Sequence, residues 1–280
     1  MISSEFRDEI GYWSEVKLEI IKRYAAAYSR ILNAQAKLSH FYIDAFAGGG
    51  IHLSKTSGEF VPGSPTNALL VKPPFKGYFF IDMDSNKVES LQELVGRRSD
   101  VTVLGGDCNQ LLLTKVFPEV TFEKYRRALC VLDPYGLHLK WEVLFQAGQM
   151  RSVEVFLNFP IMDMNRNVLC KDVEAVDERQ KLRMDAFWGD RTWEKAAYDT
   201  KRDFFGYPEK MRNEDVVRAF QKRLKEVAGF TYVPNPIPMC NRTNAVVYYL
   251  FFASYNDTGR KIVEHIFGMF RDKKVSQDGR

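Results

Sequence analysis

Four carboxylates stand where the chain leaves a short apolar run, and their placement defines the chemistry open to this sequence. Asp44 opens Asp44-Ala45-Phe46-Ala47-Gly48-Gly49-Gly50 behind Phe41–Ile43, and Asp82, with Met83 after it, closes Gly77–Ile81. Asp107 and Cys108 follow Val101–Gly106, and Asp133 begins Asp133-Pro134-Tyr135-Gly136 behind Ala128–Leu132. An ionised carboxylate accepts two hydroxyl hydrogen bonds, each contributing roughly 1.5 to 3 kcal/mol, so these acids suit a sugar or an amine. The glycines remove Cβ atoms where the backbone must turn, which lets a ligand approach and frees loop amides to bind its polar groups. Plain structural roles use the same residues. Asp82 competes with Asp84 to cap the helix that begins near Ser85, and Pro134 with Gly136 equally suits a tight turn.

Positioning these acids takes a regular scaffold. Trp13, Val16, Ile20, Tyr24, Ala27 and Ile31 recur at helical spacing and predict an amphipathic helix to about Gln35. Strands are expected at Phe41–Asp44, Gly77–Asp82, Val101–Leu104, Ala128–Leu132 and Val153–Phe159. Between them, Ile51–Gly63 reads as a loop, Ser64 and Pro65 start a helix to Val71, and Val88, Leu91, Leu94 and Val95 mark another. A mixed stretch covers Asn109–Lys124, and a helix covers Lys140–Gln149. This alternation implies right-handed crossovers and a mainly parallel sheet, with Asp44, Asp82, Asp107, Asp133 and Asn158 at the edge where such sheets bind ligands.

From Met162 to about Glu226 the rhythm stops. Helical windows at Asp172–Phe187, Thr192–Lys201 and Glu214–Val227 predict a charge-balanced insertion placed to cap the pocket. Its local cluster Arg218, Lys222, Arg223 and Lys225 suits either phosphate contacts or an exposed helix face. Gly229–Val233 and Ala245–Ala253 are expected to be antiparallel strands joined by a loop with Pro234, Pro236 and Pro238, followed by a helix from Thr258 to Arg271.

Composition bounds the rest. With 280 residues, 45% hydrophobic and 27% charged, the chain fits one large domain or one domain carrying an insertion. The longest apolar run, Ala245–Ala253, is about half of what a membrane span needs, and Met1–Glu9 is polar and acidic, so the expectation is a cytoplasmic protein with no membrane association. Cys108, Cys130, Cys170 and Cys240 lie far apart without metal-ligand spacing, which predicts free thiols and no metal site. A net charge of +4 does not by itself announce a nucleic-acid partner.

Two nucleotide-binding designs compete for the glycine loop. Dinucleotide binding calls for a third glycine where Leu53 stands, which disfavours an NAD-dependent enzyme. The closing strand pair resembles the sixth and seventh strands of class I methyltransferases, which share a seven-stranded sheet with the last strand reversed. Asp44-x-Phe46-x-Gly48-x-Gly50 resembles their first motif, with Gly48 and Gly50 shaping the methionine end of an S-adenosylmethionine pocket. The resemblance implies that Asp82 holds the ribose, that Met83 lies on the adenine, and that Asp107, beside Cys108, reaches the adenine amine. Asp133-Pro134-Tyr135-Gly136 is similar to the Asp-Pro-Pro-Tyr of adenine amino-methyltransferases, in which carboxylate and prolyl carbonyl hold the target amine while the aromatic ring stacks on an extruded base. Here the aromatic comes one place early.

Taken in order from Trp13 to Phe270, these features resemble the three-Cys-motif partner protein family, TcmP. Membership implies bacterial or phage-related settings and a companion protein bearing a three-cysteine motif. The expected architecture is a Rossmann-like α/β methyltransferase core at 41–161 and 228–280, an N-terminal helix within 1–40, and a helical insertion at 162–227 between strands five and six. The expected function is N-methylation of a nucleic-acid base or other amine. The alternative is a methyltransferase-like partner module without turnover.

Overall fold

A computed structural model describes residues 9–202, 208–241 and 243–277. Seven strands form the central sheet: β1 (Ser39–Asp44), β2 (Gly77–Asp82), β3 (Val101–Gly105), β4 (Arg126–Leu132), β5 (Val153–Phe159), β6 (Ile237–Cys240) and β7 (Val246–Ala253). Their spatial order is β6-β7-β5-β4-β1-β2-β3. β1 to β5 pair in parallel, whereas β7 runs antiparallel to both β5 and β6. This is a Rossmann-like α/β sheet in the class I methyltransferase arrangement. The strand order reverses at β1 and β4, where α/β sheets open a crevice at their carboxyl ends.

The helices are α1 (Tyr12–Asn33), α2 (Ser64–Leu69), α3 (Ser85–Val95), α4 (Cys108–Leu111), α5 (Trp141–Met150), α6 (Ile161–Asn167), α7 (Glu178–Trp188), α8 (Trp193–Ala197), α9 (Asn213–Glu226) and α10 (Asp257–Gln277). Strand alternation sends neighbouring side chains to opposite faces of the sheet. Tyr42, Phe80, Val131, Phe156 and Phe252 pack with α1 and α10, while Ile43, Ile81, Cys130, Val155 and Phe251 pack with α5, α7 and α9. Among the described residues no helix is long and apolar enough to cross a membrane.

Three segments depart from the sequence reading. Gly229–Val233 makes only a single bridge, Tyr232 to Ser254, and the sixth strand is Ile237–Cys240, inside the expected proline loop. An edge strand pairs on one side only, so Pro238 is tolerated there. Ile51–Gly63 is no open loop: Ile51–Ser54 and Phe60–Pro62 form a hairpin, joined by the short strand Glu9–Ile10. The window Thr192–Lys201 divides into α8 and a strand, Tyr198–Arg202, which pairs with Pro208–Lys210.

The polar insertion also carries a buried aromatic side. Phe187, Trp188, Trp193 and Phe220 are fully or almost fully buried and join the sheet's own core. The insertion therefore packs on the sheet, and α7 reaches its carboxyl edge.

Candidate functional site

At the carboxyl ends of β1 to β4 lies a cavity of about 580 Å³, lined by Phe46, Asp82, Met83, Asp107, Cys108 and Tyr135 among others. Asp82 is fixed by backbone amides: Gly48 N–H donates to Oδ2 at 2.8 Å and Asp84 N–H to Oδ1 at 3.0 Å. Each oxygen keeps a lone pair for a further donor. Capping of α3 falls to Asp84, whose carboxylate accepts the Asn86 N–H at 2.9 Å. The helix-cap explanation of Asp82 is thereby removed.

Asp107 has a structural role as well. It caps α4, with Oδ1 accepting from Asn109 N–H at 2.9 Å and Asn109 Nδ2 at 2.8 Å. Burial, and secondarily Asp107, pushes the Cys108 thiol up to about 12, so it lines the cavity as a neutral group. Met83 and Tyr135 are 74% and 76% exposed, giving the cavity an apolar rim.

Asp44, Gly48, Gly50, Asp133 and Pro134 do not line this cavity. Gly48, at φ +64°, contributes its amide to Asp82. Gly50, at φ +82°, leaves room for α3, because a Cβ there would sit 2.6 Å from Leu94 Cδ2. The expected glycine floor of the pocket is thus corrected: Gly50 serves packing, and Gly48 orients an acid. Asp44 is sealed in the interior, accepting the Ser64 hydroxyl and the Phe46 N–H at 3.3 Å.

The fourth motif is equally engaged. Lys17 of α1 donates to the Asp133 carboxylate, and Asn158 Nδ2 donates to the Pro134 carbonyl at 3.2 Å. Burial alone would lower the Lys17 pKa, but Asp133 together with Tyr248 and Tyr135 outweighs it and holds the amine protonated above its ordinary range. Gly136 accommodates a neighbour, since a Cβ there would lie 2.7 Å from Asp163 Oδ2. A side chain at position 136 would therefore have to displace the Asp163 carboxylate.

Removing Lys17 strands a carboxylate that is only 30% exposed. Lys17→Met is expected to lose about 2 kcal/mol, below the range for fully buried pairs. Lys17→Met/Asp133→Leu should recover most of that loss in urea unfolding. Equal loss in the single and double variants would show that the stranded carboxylate is not the source of the loss.

Several site residues escaped the sequence reading. Asn109 ties the cavity walls together, donating to the His138 carbonyl at 2.9 Å and accepting the Lys140 N–H at 2.7 Å. Leu182, Arg183 and Ala186 of α7 close one side. No local pattern marks these contacts. Lys17 did leave a signal, for it sits on the same helical stripe as Trp13, Ile20 and Tyr24, where a charge needs a partner.

No family model and no curated protein matches the chain. Among solved structures it is similar to protein LPL1258 from Legionella pneumophila, at 12% identity over 90% of both chains with a TM-score of 0.54. It is also similar to the CurJ carbon methyltransferase, at 13% identity over 84% of this chain and 54% of that one, but the TM-score of 0.40 adds no argument. The Legionella likeness shows the fold alone, and the class I methyltransferase arrangement of the sheet is read from its strand order.

Proposed function

We propose that the protein is an S-adenosylmethionine-dependent methyltransferase acting on an amine, with a nucleic-acid base as the favoured acceptor. The observation that carries this reading is Asp82, anchored by two backbone amides at a cavity large enough for an adenosyl group. Asp82 accepts the ribose hydroxyls in this reading, and Met83 and Phe46 flank the adenine. The Asp107 oxygen left over from capping faces the adenine amine, and the neutral Cys108 fills the wall. The cofactor supplies a methyl group on a sulfonium centre. Asp133 and the Pro134 carbonyl, off the cavity wall and held here by Lys17 and Asn158, exchange those donors in this reading for the hydrogens of the acceptor amine, whose lone pair must stay free for attack. The exposed Tyr135 ring, with the Lys87 ammonium 5.7 Å from its centroid, marks the mouth where a base would stack in this reading.

Calorimetry with S-adenosylmethionine tests the reading. The wild-type protein should bind at micromolar concentration, and Asp82→Ala should weaken binding at least tenfold, about 1.4 kcal/mol, while remaining folded by circular dichroism. Failure of the wild type to bind at high micromolar concentration would end the proposal.

A specific observation favours a second reading. Lys17 occupies Asp133 and Asn158 occupies the Pro134 carbonyl, so both acceptors an amine would need already have donors. In that reading the protein binds the cofactor without turnover and serves a companion bearing a three-cysteine motif. The motif order that resembles the TcmP family supports the companion in either case. Radiolabelled methyl transfer to DNA, RNA or protein, assayed with the companion present, separates the two: transfer favours the enzyme, and binding without transfer favours the module.

A further inference from the structure

At the amino ends of β4 and β5, the opposite end of the sheet from Asp82, a second cavity of about 370 Å³ lies between α1 and the start of α10. Its walls include Tyr24, Tyr28, Leu32, Phe122, Tyr255 and Ile262, an aromatic and aliphatic lining. Two polar groups on that lining lack partners. The hydroxyls of Tyr28 and Ser152 are buried without a hydrogen bond, in residues only 7% and 2% exposed. A buried hydroxyl left unsatisfied is costly, and a ligand that supplies the missing bond explains its retention.

The charges around the cavity are unevenly matched. Arg127 lies over Phe122 at 3.8 Å and, among the described residues, donates to the neighbouring Arg126 carbonyl at 2.7 Å. Arg151, in the left-handed conformation at φ 56° just past α5, stands 6.0 Å from the Tyr255 ring. Neither guanidinium has an ion pair among the described residues. The two acids on the lining are already held: Glu154 by the Tyr24 and Ser254 hydroxyls, and Asp257 by Arg260 and Lys261. The charge of Glu123 also reaches Arg127, but without an ion pair among the described residues, so both guanidinium groups keep donors to offer beside two hydroxyls.

We infer that this cavity is a ligand site for a small molecule with a compact oxyanion head, carboxylate or phosphate, on an aromatic or branched apolar body. The guanidinium forks of Arg127 and Arg151 recognise the head, since arginine matches both oxyanions in a bidentate manner. Tyr28 and Ser152 donate their free hydroxyls, and the ring-lined wall takes the body. The site is separate from the proposed cofactor cavity and does not depend on methyl transfer.

Calorimetric titration of the full chain with phenyl phosphate and with phenylacetate, using benzyl alcohol and benzylamine as controls, tests the site. At least one aryl anion should bind, and the preferred one identifies the head group. Arg127→Gln and Arg151→Gln should each weaken it at least tenfold, while Tyr28→Phe should weaken it about threefold and Asp82→Ala not at all. Arg127→Lys, which keeps the charge but loses the fork, serves if Arg127→Gln does not fold, and should also bind more weakly. The inference is overturned if neither anion binds at millimolar concentration, if benzyl alcohol or benzylamine binds as well, or if the arginine variants bind like the wild type.

Discussion

Between pH 4 and pH 7 two buried carboxyl groups, Asp44 and Glu154, make the protein progressively less stable. Both are buried, and desolvation is the main force that pushes each up to about 7, against the opposing hydrogen bonds from Ser64 to Asp44 and from Tyr24 and Ser254 to Glu154. The nearby Asp133 charge adds to the rise at Asp44. Unfolded, both groups titrate near 4. Because the folded value is the higher one, the native chain holds more protons than the unfolded chain between about 4 and 7. The stabilisation is complete below about pH 4, is lost as pH rises to about 7, and stays flat above. Each pH step across that window removes up to about 1.4 kcal/mol per group, on the order of 4 kcal/mol each in total. Urea unfolding at half-unit pH intervals measures the slope. Asp44→Asn and Glu154→Gln should each flatten it by its own share, and variants that keep the wild-type slope would refute the assignment.

Phe220→Ala should lose about 4 kcal/mol, the cost of deleting a large ring from a rigid core. Phe220 sits on α9 in full burial, with its ring centroid 4.7 Å from Phe159, 5.3 Å from Trp188, 5.7 Å from Phe187 and Phe251, and 5.8 Å from Trp141. Those five rings come from β5, α7, β7 and α5, so one side chain joins the insertion to the sheet. The lost ring removes transfer energy and also opens a space that so many rigid neighbours fill poorly. Because α7 supplies Leu182 and Arg183 to the cavity wall, the variant should also bind ligand there more weakly. Phe220→Leu should lose about half as much. The urea midpoints of the two variants check the order, and a loss under about 1 kcal/mol for the alanine variant would mean that the insertion folds independently of the sheet.

Legibility followed the reach of each interaction. β2 and β5 fall on their expected residues, because a buried parallel strand reads as a continuous apolar run. The alternation of strands and helices gave the parallel sheet, and the acids past the strand ends gave the carboxyl edge with Asp82, Met83, Asp107 and Tyr135 on one cavity. The edge strand Ile237–Cys240 stayed hidden, because one-sided pairing excuses the prolines that otherwise signal a loop.

Sequence by itself determined which elements form and where their polar ends fall, since side-chain period and turn chemistry are local properties of the chain. The tertiary structure alone decided which acids stay available. Asp133 meets a lysine 116 residues away, Asp44 meets Ser64, and Gly50 makes room for Leu94. Each outcome depends on helices docked from distant parts of the chain, and no local pattern records which partner a buried charge will find.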